Sequence, residues 1–161
     1  MPLTRRSIDA VAGRVSVCWS LPAASDRVWW GLTSPEALPH WIGTVTTGEM
    51  TVGAVVTIRH AEDYSCTSEI LGCGPEAWLA LTWKFPDEPL SQLRIELAQE
   101  GGATQLDLIH EGLEDEAPGY LSGWQTHLFY LEHLLQGRPL PMEEFWQVHE
   151  RLDRKYRSKR L

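Results

Sequence analysis

The segment GGATQLDLIHEGL, followed by PGYLSGWQTHLFYLEHLLQG, most constrains what this chain can fold into. In the first part apolar and polar residues alternate, which puts Leu106, Leu108 and His110 on one face of a strand. In the second, Leu121, Trp124, Leu128, Leu131 and Leu135 recur at helical spacing within residues 118–136. Pro118 suits an early helical position, and Gly137 with Pro139 stops the helix. A strand with one apolar face leading into a helix with one apolar stripe predicts a sheet with a helix laid across it. A curved sheet wrapped around a helix encloses volume, and enclosed volume invites a small molecule.

The rest of the chain supplies the other strands. Residues 1–13 read as a loose arm. RVSVCWSL (14–21) alternates and reads as a half-buried strand. Residues 21–43 read as two short helices, the first from about Ser25 to Gly31, the second capped by Ser34 with Pro35 at its first position. TVTTGEM, AVVTIRH, YSCTSEILGCG, AWLALTWKF, SQLRIELAQE and TQLDLIHE follow as strands separated by turn signals. About seven antiparallel strands in a meander are expected, in an α+β fold. A last helix over 141–156 carries the stripe Phe145, Val148, Leu152 and Tyr156. That stripe buries either on the body of the same chain or across a homodimer or protein partner.

Net charge and cysteine use narrow the function classes. At −8 overall, the body is unsuited to nonspecific nucleic-acid binding. Basic residues collect at the end (Arg151, Arg154, Lys155, Arg157, Lys159 and Arg160), where they either lie against the acidic body or meet an acidic partner. Cys18, Cys66 and Cys73 have no metal spacing, and the double arginine of MPLTRRSIDAVAGRV precedes no apolar run. The expectation is a cytoplasmic protein with reduced thiols, without a membrane span. Eight tryptophans are many for 161 residues, and read either as core or as the lining of a pocket.

The order strand, two short helices, six strands, long helix resembles the helix-grip arrangement of the START-like superfamily. Within it, DRVWWGLTSPEALPHWIG, the glycine of TVGAVVTIRH, EILGCGPEAWLALTW, GGATQLDLIHEGL and GYLSGWQTHLFYLEHLL resemble homologues of the activator of the heat-shock protein 90 ATPase. The resemblance runs from Arg14 to Gly137 and leaves residues 138–161 as an extension. It implies a cavity between a seven-stranded curved sheet and the long helix. It does not imply one reaction, because relatives of this architecture include lipid and polyketide binders, aromatic cyclases, self-resistance proteins and co-chaperones.

Strand parity and helix face then nominate residues around that cavity. Trp41, Trp83 and Trp124 come from the second short helix, the sheet and the long helix, and Leu128 lies one turn beyond Trp124. Ile58 and Ser68 have inward parity, and Ser68 offers a hydroxyl. His110 is either a core histidine or the acid–base group of a cyclase or hydratase. Asp107 falls on the opposite strand face and cannot orient it. His60, Glu62 and Asp63 read as a solvated strand end and turn. His127 and His133, six apart on a helix, are no metal pair. No nucleophile elbow, zinc-protease motif, phosphate loop or dinucleotide fingerprint is present, so no metal or cofactor is implied. Three functions stay open: a binder of a hydrophobic or aromatic small molecule, an enzyme using His110, and a co-chaperone-like interaction module.

Overall fold

The structure is a computed structural model that describes residues 2–157; Lys159 and Arg160 of the basic end lie outside the described residues. Eight strands form one antiparallel sheet among these residues. They are β1 (Leu3–Asp9), β2 (Arg14–Leu21), β3 (Thr44–Thr47), β4 (Val55–Ala61), β5 (Tyr64–Gly74), β6 (Trp78–Trp83), β7 (Ser91–Glu100) and β8 (Ala103–Glu111). Their spatial order is β1-β2-β8-β7-β6-β5-β4-β3, so β3 to β8 form the expected meander and β8 returns to pair with β2. Helix α1 (Ser25–Thr33) follows β2, α2 (Ala117–Leu135) follows β8, and α3 (Phe145–Arg157) closes the described chain.

The eighth strand corrects the reading of residues 1–13 as a loose arm. Residues 3–9 pair with β2, Leu3 opposite Trp19 and Asp9 opposite Arg14. Only Leu3 is buried, at 1% exposure, and the rest of the strand is largely exposed. A charged edge strand has no apolar alternation to read, yet its charges suit a sheet edge. The second short helix is also corrected. Residues 35–37 form a turn, and Leu38–His40 is a single 3-10 turn. Pro39 has no N–H to donate, so a continued α-helix would lack a bond there.

Helix α2 is buried on two sides. Leu121, Trp124, Leu128, Leu131 and Leu135 are buried as the spacing predicts, and Gln125, Thr126, Tyr130 and Leu134 are buried as well. The second group is covered because α3 packs on α2. The stripe Phe145, Val148, Leu152 and Tyr156 is buried within this chain, which corrects the alternative of a homodimer or partner docked on it. Each such side chain contributes about 1.5–3 kcal/mol relative to exposure. Polar contacts set the register: Tyr130 donates its hydroxyl to the Pro141 carbonyl at 2.8 Å, and Ser122 to the Asp153 carboxylate at 2.8 Å. Tyr156 meets Trp19 edge to face at 6.4 Å. Arg154 pairs with Glu150 and Arg157 with Asp153, one turn back on α3.

The sharp exit from α2 makes this packing possible. Gly137 sits at φ 77°, its N–H bonds the Leu134 carbonyl, and the Arg138 N–H reaches the His133 carbonyl. That pair of bonds satisfies the helix end and turns the chain back along α2.

Candidate functional site

A cavity of about 380 Å³ opens at one end of the sheet, among the ends of β4 to β6, the first half of α2 and the start of α3. The sheet side contributes His60, Tyr64, Trp83 and Phe85, while Phe145, Trp146 and His149 close the far side. Trp146 is 73% exposed and stands at the mouth. The α2 wall consists of Gly119, Tyr120, Gly123, Trp124 and His127.

The two glycines are what leave this space open. A Cβ on Gly119 or Gly123 would meet nothing within 4 Å. Both lie inside a helix, where glycine costs about 0.5–1 kcal/mol relative to alanine. The helix therefore carries a bare patch, one turn long, facing the cavity. Sequence reasoning passed over both residues. Their i, i+4 spacing inside an otherwise helical run is the signal that marks them.

Hydrogen bonds fix the state of the polar groups. The Trp41 carbonyl only accepts, so His127 Nδ1, 2.7 Å away, carries the ring proton and Nε2 keeps its lone pair. Burial holds the His127 pKa down to about 4; the Trp41 carbonyl raises it and His149 lowers it by smaller amounts. His60 sits 6.4 Å from His127 between ring centroids and packs against Trp83 and Phe85. Its pKa is driven to about 3, by burial first and by His127 second, and its Nε2 is buried without a partner. His60 is thus no solvated loop residue, which corrects the sequence expectation. It continues the inward parity of Val56 and Ile58, while Glu62 and Asp63 form the exposed turn. Tyr120 accepts the Trp83 indole N–H at 3.1 Å and donates its own proton to the Glu88 carboxylate. Burial raises the Glu88 pKa. Tyr64 stacks on Phe85 at 4.3 Å and donates to Asp87 at 2.8 Å.

The residues nominated from sequence divide between this cavity and a second space. Trp83 and Trp124 line the cavity. With Trp41 and Ile58 they also line a crevice of about 30 Å³ between the sheet, the end of α1 and Trp124. Side chains almost fill that crevice. Trp41 is pinned by its N–H to the Gly31 carbonyl at 2.7 Å. Leu128 is fully buried, and Ser68 is buried 3.8 Å from Cys66; neither lines the cavity. His110 does not line it either. Its Nδ1 accepts the Trp124 N–H at 3.0 Å, so its Nε2 carries the proton toward Ser91 Oγ at 2.7 Å. Burial lowers its pKa to about 3. With both nitrogens engaged, His110 has no free site for acid–base work in this arrangement.

Among the described residues, no three of His, Cys, Asp or Glu come together as a metal site. No helix among them is long and apolar enough to cross a membrane.

Comparison with known proteins places this architecture. The chain resembles CalU16 from Micromonospora echinospora, with a TM-score of 0.77 and 20% identity over 98% of both chains. It also resembles DynU16, a protein of the dynemicin biosynthetic locus, with a TM-score of 0.72 and 26% identity over 82% of this chain. This chain spans 49% of DynU16, about half its length. A protein from Arthrobacter aurescens has a TM-score of 0.73 at 17% identity, covering 86% of this chain and 94% of that one. No curated protein matches the sequence. A family model described as Activator of Hsp90 ATPase homolog 1-like protein matches residues 22–136, most of the chain. The chain therefore belongs to the family of Activator of Hsp90 ATPase homolog 1-like proteins, within the START-like superfamily.

Proposed function

We propose that the protein binds a hydrophobic or aromatic small molecule, without turning it over, in the cavity at the first half of α2. One observation carries the reading: about 380 Å³ walled by Trp83, Phe85, Tyr120, Trp124 and Phe145 is kept open by two helix glycines. Volumes of this order, apolar with a few placed polar groups, suit ligand sites. Glycine inside a helix lowers stability, so a patch of two fits a role that needs space. The likeness to DynU16, a protein of a biosynthetic locus, agrees with a small-molecule partner.

The test is native mass spectrometry of the purified protein after incubation with cell extract and with a panel of lipids and polycyclic aromatic compounds. The expected result is a retained mass that survives buffer exchange and is lost when Gly123→Phe fills the cavity. An empty protein throughout, with the fold intact, would favour a surface role of the co-chaperone kind.

A further inference from the structure

The polar equipment of the cavity is one-sided. The hydroxyl protons of Tyr64 and Tyr120 go to Asp87 and Glu88, and the indole protons of Trp83 and Trp124 go to Tyr120 and His110. Those donors are spent within the protein. The charged groups that face the space are the carboxylates of Glu88 and Glu116 at the rim, beside the His127 Nε2 lone pair, while His60, Trp146 and His149 each contribute one neutral N–H. No Lys or Arg is among the described residues that line it. The nearby Lys84 ammonium is turned onto the carbonyls of Phe85, at 2.6 Å, and of Glu88. The N-terminus of α2 also borders the cavity and would by itself favour an anion. The chain supplies that negative charge with Glu114, Asp115 and Glu116.

We propose that the cavity is selective for neutral or cationic flat aromatics bearing a hydrogen-bond donor, and excludes carboxylate amphiphiles such as fatty acids. The inference rests on the cavity being a ligand site and adds which ligand it takes. The aromatic body stacks among Trp83, Phe85 and Phe145. A phenol or amine at one end gives its proton to His127 Nε2 or to the rim carboxylates. A carboxylate at that end meets the rim carboxylates with no cation to pair with, and stays in water.

Four ring-matched probes decide it: 2-hydroxyanthracene, 2-(aminomethyl)anthracene, 2-methoxyanthracene and anthracene-2-carboxylate, titrated at pH 7.5 and followed by fluorescence. The hydroxyl and amine probes are expected to bind at least tenfold more tightly than the carboxylate, with the methoxy probe between. In a Glu88→Gln/Glu116→Gln variant the advantage of the amine over the carboxylate should shrink at least threefold. The glutamine at position 88 can still accept from Tyr120, and a thermal melt checks the fold. Equal or tighter binding of the carboxylate by the wild-type protein overturns the selectivity while leaving the ligand site standing. Binding of none of the four overturns the ligand-site reading itself, and the selectivity with it.

Discussion

Trp124 gives its indole proton to His110 Nδ1 at 3.0 Å, joining the long helix to the middle of the sheet. The bond is one link of a chain: His110 Nε2–H reaches Ser91 Oγ, and Ser91 donates to the Trp83 carbonyl at 3.1 Å. Trp124→Phe keeps an aromatic ring but strands a buried nitrogen, which costs about 1–3 kcal/mol. Urea unfolding should show that loss. A double-mutant cycle with His110→Phe should give a coupling of at least about 0.5 kcal/mol. Additive losses would mean the bond contributes nothing of its own.

Stability should fall as the pH drops below about 6.5, the ordinary histidine value. Burial lowers the folded-state pKa of His60 and His110 to about 3 and of His127 to about 4. The unfolded chain takes up these protons first. The contribution is therefore complete above pH 6.5 and is lost toward the folded values. At pH 5 each histidine accounts for about 2 kcal/mol. Glu88, with its raised pKa, works the other way and offsets part of the loss. Urea midpoints at pH 7.5, 6 and 5 check the sign. A His110→Phe variant should show a shallower decline, less one proton.

Much of the scaffold was legible because alternation in β2 and β4 to β8, and the stripe on α2, report burial directly. The edge strand was not legible, since one buried residue, Leu3, makes no pattern. The cavity lies between sheet and α2, with Trp83 and Trp124 in its wall, but the rest of its lining was not legible for a related reason. Trp41, Trp83 and Trp124 do converge, but whether three indoles leave a hollow or fill it depends on rotamers, and they nearly fill it. Space is instead created by what the chain omits at Gly119 and Gly123, and is closed by an extension beyond the matched residues 22–136. His60 was overlooked because its acidic neighbours made the strand end resemble a solvated turn.

Leu3→Ala should destabilise the protein by about 2–3 kcal/mol, although it lies in the first strand of the sheet. The side chain is fully buried, and its removal loosens the cover over β2. A thermal melt within error of wild type would show that β1 is dispensable.

Gly123→Ala should raise stability by about 0.5–1 kcal/mol, because a helical glycine is replaced where the new methyl meets nothing within 4 Å. Chemical denaturation measures it. A loss would show that the position is crowded.

The most direct test of the ligand site compares 2-hydroxyanthracene binding to the wild-type protein and to Gly123→Phe by fluorescence titration, with melting temperatures recorded on the same samples. The account predicts saturable binding to the wild type and at least tenfold weaker binding to a variant that melts no lower. Equal affinity for both proteins, at equal stability, would place the probe elsewhere and contradict the cavity as the site.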